Sequence, residues 1–219
     1  MAGATTLASL QSALAEIYDL PATPDVREYL ITRAELTKIG EARPSDEQLI
    51  VAEEGDTLSM ALYIDAAVLE RLGRCDPFAG LTHENLADYL TAAEGVSHFV
   101  YVAWNTGHDK PVTLLELELQ AEVDKYVLCA WLLRAQGDGR FPRELHRALF
   151  ERAHVDAVAA AGRIGLYHTA SNYAARFCRH VGALLSLQQN GVTRDLLAEL
   201  RRFYRWGNAR KLRHIERYA

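Results

Sequence analysis

Thr113-Leu114-Leu115-Glu116-Leu117-Glu118-Leu119-Gln120-Ala121-Glu122-Val123-Asp124-Lys125-Tyr126 is the stretch whose reading decides the fold. Leu-Glu-Leu-Glu-Leu alternates at period two, and as a strand it would put every glutamate on one wet face. Leu, Glu, Gln and Ala favour a helix instead. Thr113 with Glu116 three residues later adds a capping-box signal for a helix running to about Gln136, where Gly137-Asp138-Gly139 breaks it. At ~100° per residue, Glu116, Gln120 and Asp124 fall together, and Glu118 and Glu122 lie roughly opposite. Two apolar stripes, Leu115/Leu119/Val123 and Leu114/Leu117/Ala121, run between them. A helix with two apolar faces is usually sandwiched, so one acidic group can point into a cleft. Buried carboxylates there must be paired, protonated or metal-bound. Solvated or ion-paired glutamates are the plainer alternative.

Downstream of this helix everything reads as helical. One helix covers 143–153, and a long one, weakened by Gly162 and Gly165, covers 156–188. After a stop at Asn190-Gly191, a last helix capped by Thr193 runs from Arg194 towards Tyr218, with Gly207 as its weak point. Upstream, Val96-Ser97-His98-Phe99-Val100-Tyr101-Val102-Ala103-Trp104 is β-branched and aromatic, and reads as a strand with a buried helix as the alternative. Leu49 to Glu54 and Leu58 to Ile64 flank Gly55-Asp56, a β-hairpin signal. Thr82 caps a helix carrying Asn85 to Ala93. Thr23-Pro24 opens another running to Gly40, and Leu7, Leu10, Leu14 and Ile17 mark an amphipathic helix that stops before Pro21. The expected fold is α+β and mostly helical. Its small antiparallel sheet comprises a hairpin at about 48–64 and a third strand at 96–104. A single domain over 1–219 is expected, with an acidic α+β part at about 1–140 and a basic, all-helical part at about 142–219.

Charge is sorted along the chain. Residues 1–156 carry 13 Lys+Arg against 26 Asp+Glu, whereas residues 157–219 carry 11 against 3. No acid lies between Asp156 and Asp195. Such asymmetry points to an electrostatic partner for the basic end: nucleic acid, an acidic protein, or the acidic part of the same chain. A hydrophobic content of 49% with 24% charged residues is ordinary for a soluble globular protein, and no apolar run is long enough for a membrane span. Met1 to Leu20 holds no basic residue, which argues against a signal peptide and for a cytoplasmic chain. Cys75, Cys129 and Cys178 form no metal-binding pair. No Gly-rich phosphate loop, GxSxG elbow or Cys–His couple is present.

Three segments besides the 113–126 helix carry candidate chemistry. If residues 94–98 were helical, Glu94 and His98 would sit one turn apart and could share a divalent metal with Glu118 and Glu122, a donor set that suits Zn, Mn or Fe. Gly95 argues against a helix there, and a satisfied core histidine is the alternative. His168, Asn172, Arg176 and His180 recur at four-residue steps along one electropositive edge. That edge either binds a phosphate or carboxylate or faces the glutamates of the 113–126 helix. Finally, Arg201 to Tyr218 interleaves basic and aromatic residues, as in a groove that tracks phosphates while rings stack on bases; exposed arginines on a core-packed helix explain it equally.

The first functional expectation is therefore a binding, adaptor or regulatory protein that docks a protein or anionic partner. His168, Asn172, Arg176, His180, Arg201, Arg202 and Arg205 would make the contact. The second is a metal-assisted hydrolase with Glu118 and Glu122 as ligands or general base and His98 or His168 completing the set. The third is nucleic-acid binding through the C-terminal helix. No cofactor is expected beyond an optional divalent metal, no membrane is involved, and self-association is left open.

Overall fold

The computed structural model describes residues 2–40, 43–55, 57–137, 142, 144–151, 164–186 and 194–218. In chain order the elements are α1 (Ala2–Tyr18), β1 (Leu30–Ile31), α2 (Arg33–Ile39), β2 (Glu47–Glu54), β3 (Thr57–Ile64) and α3 (Ala66–Arg74). There follow α4 (Leu86–Thr106), α5 (Leu114–Gln136), α6 (Leu145–Phe150), α7 (Ile164–Ser186), α8 (Arg194–Arg205) and α9 (Asn208–Ile215). The fold is α+β and mostly helical, with one three-stranded sheet. The expected long helices over 143–153 and 156–188 begin or end among residues outside those described, as do Asp56, Asp138, Gly139, Asn190, Gly191 and Thr193.

The hairpin forms at 47–64, with Glu47 opposite Ile64 and Glu54 opposite Thr57. Gly55 takes φ +59°, a left-handed turn conformation that a side chain would strain. Two expectations are corrected. The sheet is mixed: its third strand is β1, which pairs parallel to β3 through Leu30 opposite Leu62 and Ile31 opposite Tyr63. The helix expected from Thr23 to Gly40 therefore does not run through. Thr32 restarts the chain as α2, with a capping box in which it accepts from the Glu35 N–H and Glu35 accepts from the Thr32 N–H.

The second correction concerns 96–104, which is not a strand but the middle of α4. Every residue of that run except Ala103 is buried, so it has no polar face and its pattern carries no period that would distinguish helix from strand. Gly95 lies within the helix because the sheet comes close there. A Cβ at Gly95 would sit 3.2 Å from Leu62 Cδ1 and 3.4 Å from Glu47 Oε2.

Helices α4 and α5 pack side by side, with the sheet against α4 and with α7 against α5. Leu7, Leu10, Leu14 and Ile17 of α1 are fully buried. They join one apolar cluster with Phe99 and Tyr101 of α4, Val123 and Val127 of α5, Phe177 and Val181 of α7, and Leu200 and Phe203 of α8. The cluster draws on both the acidic and the basic parts of the chain. Among the described residues, no helix is long and apolar enough to cross a membrane.

Candidate metal centre

Helix α5 begins as its sequence indicates, with Thr113 Oγ1 accepting from the Glu116 N–H at 3.2 Å. Glu116, Glu118, Gln120 and Asp124 are buried and Glu122 is half-buried, so α5 is sandwiched between two separate polar clusters. Glu116, Gln120 and Asp124 face one, and Glu118 and Glu122 face the other.

The Glu118 side joins three elements. Because residues 94–98 are helical, Glu94 and His98 sit one turn apart on α4. Glu118 approaches them from α5 and Glu47 from the first residue of β2. The ligand atoms of Glu94, His98 and Glu118 all lie within 4.8 Å of one another. His98 Nε2 is 3.5 Å from Glu118 Oε2, and His98 Nδ1 is 3.7 Å from Glu47 Oε2. These are ion-pair distances. His98 is only 5% exposed, yet its Nε2 has no hydrogen-bond partner, and neither has Glu47 Oε2. Burial disfavours the imidazolium, but Glu118 and Glu47 outweigh it and hold the His98 pKa well above its ordinary value. Burial raises the pKa of Glu47 against the opposing pull of His98.

Glu122 is directed elsewhere. Lys125 Nζ donates to Glu122 Oε1 at 2.6 Å and to Glu94 Oε2 at 2.8 Å, forming a bridge between the two helices. Burial works against the ammonium, yet the two carboxylates raise its pKa above the ordinary lysine value. Burial also opposes ionisation of Glu94, but Lys125 and His98 prevail and lower its pKa.

On the opposite face, Asp124 accepts from Tyr18 at 2.5 Å, from Ser97 at 2.6 Å and from Gln120 at 2.7 Å. Gln120 Oε1 and Tyr101 Oη accept from Lys211 Nζ at 2.6 and 2.8 Å. Tyr101 donates on to Glu116 at 2.5 Å, and the second Glu116 oxygen accepts from the Asn208 N–H at 3.0 Å. Lys211 is completely buried without touching a carboxylate directly. Burial pushes its pKa down to about 7, with Glu116 and Asp124 opposing. Burial likewise raises Asp124 to about 6 against the hydrogen bonds it accepts. A separate cavity of about 210 Å3 between α1 and α3, edged by Thr5, Ser9 and Asp76, touches neither cluster.

No protein-family model, curated protein or solved structure matches this chain. Its chemistry must be read from its own side chains.

The remaining sequence candidates do not converge on one site. His168, Asn172 and Arg176 are exposed on α7, so they do not face the glutamates of α5; that pairing is corrected, because Glu118 and Glu122 meet His98 and Lys125, while Glu116 and Asp124 accept from Tyr101, Tyr18 and Ser97. His180 is half-buried and stacks on Tyr218, with ring centroids 4.1 Å apart. Arg201 donates to the Ile17 and Glu16 carbonyls, and Arg205 donates to those of Tyr18 and Asp19, so both are engaged in closing the C-terminal end of α1. Arg202 pairs with Glu199 one turn away at 2.7 Å.

Glu47, Lys125 and Lys211 are absent from the sequence-level candidates. Lys211 carried a readable signal, since it lies four residues before Ile215 on the face of α9 that packs into the core. Lys125 carried a weaker one, three residues after Glu122. Glu47 gave none, because only the hairpin's packing on α4 brings it to His98.

Proposed function

We propose that the protein binds one divalent transition-metal ion through Glu94, His98 and Glu118, and that this ion supports hydrolytic chemistry. The observation that carries the reading is the convergence of Glu94, Glu118 and the His98 imidazole from adjacent helices, with ligand atoms all within 4.8 Å of one another, while His98 Nε2 is buried 3.5 Å from Glu118 Oε2 without a hydrogen bond. An imidazole nitrogen with carboxylate oxygens suits Zn, Mn or Fe(II). Three protein ligands leave a position open for water, whose proton the ion makes easier to remove. Glu47 would hold the other side of the ring: its Oε2 lies 3.7 Å from His98 Nδ1, which would keep Nε2 turned towards the ion. Glu94, with a quarter of its side chain exposed, supplies the opening to solvent.

The test is metal binding by protein stripped with chelator, titrated with Mn2+ or Zn2+ by calorimetry and counted by native mass spectrometry. One ion per chain is expected, lost in His98→Ala while the circular dichroism spectrum is retained. A wild-type chain that takes up no ion would overturn the proposal.

A further inference from the structure

We infer that Lys125 is a built-in second cation: its ammonium fills the place between Glu94 and Glu122 that a second divalent ion would take, and so limits the centre to a single metal. This rests on the metal site proposed above and deepens it.

The geometry is that of a bridging ion. Lys125 Nζ holds Glu94 of α4 and Glu122 of α5 at 2.8 and 2.6 Å, with only 15% of its side chain exposed. Glu94 belongs to both halves of the cluster, since its Oε2 receives Lys125 while the carboxylate also lies within ligand distance of His98 and Glu118. Metal–oxygen bonds of ~2.1 Å are shorter than these ammonium contacts, so the space vacated by the lysine head and stem would admit an ion with bound water. His98, nine-tenths buried with Nε2 3.5 Å from Glu118 and without a hydrogen bond, marks the first metal position, and Lys125 marks the second.

Charge points the same way. Glu47, Glu94, Glu118 and Glu122 bring four carboxylates to this face. One divalent ion plus the ammonium leaves the group close to neutral, with a small negative excess. A second divalent ion beside a retained ammonium would make it positive in a partly buried setting, where repulsion is weakly screened. Two divalent ions balance four carboxylates once the lysine charge is gone. The second position offers oxygen donors alone, which suits Mn2+.

Mn2+ stoichiometry on the full chain tests this. Wild type and Lys125→Arg should each bind one ion, and Lys125→Ser should bind two, returning to one in the Lys125→Ser/Glu122→Gln double variant. Lys125→Met, which keeps the stem and removes the charge, offers a second readout. Its single Mn2+ should bind about tenfold more tightly or better, because a neighbouring positive charge has been deleted. One ion in Lys125→Ser, or unchanged or weaker affinity in Lys125→Met, overturns the role of Lys125 while the metal site stands. No ion in the wild type overturns the metal site and this inference with it.

Discussion

Replacing Lys211 by methionine should change not only the stability of the protein but how steeply that stability depends on pH. The ammonium is buried from all sides: Tyr101 of α4 and Gln120 of α5 accept its hydrogen bonds, and the Tyr101 and Phe203 rings lie 4.4 and 5.0 Å from it. Its nearest charges, Glu116, Asp124 and Lys110, act only at a distance. Folding lowers its pKa from 10.5 to about 7. The unfolded chain therefore binds the extra proton between those values, and stability rises with pH across that window. At ~1.4 kcal/mol per unit of pKa, the buried charge costs about 4 kcal/mol at pH 7.5 and about 1.5 kcal/mol at pH 9.5. Methionine keeps the volume and removes this cost, but it leaves Gln120 Oε1 without a donor, a loss of about 1–3 kcal/mol at either pH. Lys211→Met should therefore be the more stable protein at pH 7.5, and its advantage should shrink by about 2.5 kcal/mol at pH 9.5. Urea unfolding of both proteins at the two pH values measures the difference, and other titrating groups largely cancel in it. A difference that does not change between pH 7.5 and 9.5 would mean that folding does not depress the Lys211 pKa, and would refute the reasoning.

Two further outcomes follow from contacts elsewhere. Arg201→Ala and Arg205→Ala each strip charge-assisted hydrogen bonds from the last carbonyls of α1. Each should cost about 1.5–3 kcal/mol in denaturant unfolding, and a loss below about 0.5 kcal/mol would show that α1 ends as well without them. Gly95→Ala adds a methyl group 3.2 Å from Leu62 and 3.4 Å from Glu47. It should fail to deliver the gain of about 1 kcal/mol usual for alanine in a helix, and it should weaken Mn2+ binding by moving Glu47 away from His98. A stabilised variant with unchanged metal affinity would refute the tight approach.

Much of the architecture is readable in local patterns, and the failures share a cause. The cap at Thr113 and the four-residue steps of α1 need only neighbouring residues, and the elements form where those signals lie. The two polar groups of α5 are also local, since they follow from helical spacing. What those groups face is not local. Val96–Trp104 is buried except at Ala103, so its period is silent, and Gly95, which resembles a helix breaker, marks where β2 and β3 press on α4. The metal candidates Glu94 and His98 align only when that stretch is helical, and thus depend on a tertiary contact. Leu30–Ile31 is a strand only because β3 lies alongside it.

Although α7 packs against α5, Arg201, Arg202, Arg205 and Lys211 make no direct ion pair with the acids of α5. Arg201 and Arg205 are taken up chiefly by neutral carbonyls at the end of α1, with Asp19 3.9 Å from Arg201, and Arg202 by Glu199 on its own helix. Lys211 reaches Glu116 and Asp124 only through Tyr101 and Gln120. These four cations of the C-terminal part are thus spent locally or on dipoles, and none of them bonds directly to the carboxylates between α4 and α5. There, Glu47, Glu94, Glu118 and Glu122 have Lys125 and His98 as their cationic contacts among the described residues. Protonating His98 relieves part of the excess, which is why its pKa is driven upward. The divalent ion proposed for this site would relieve more of it, through the same nitrogen. Metal and proton therefore compete for His98 Nε2, so metal binding should release a proton, and more of one as the pH falls.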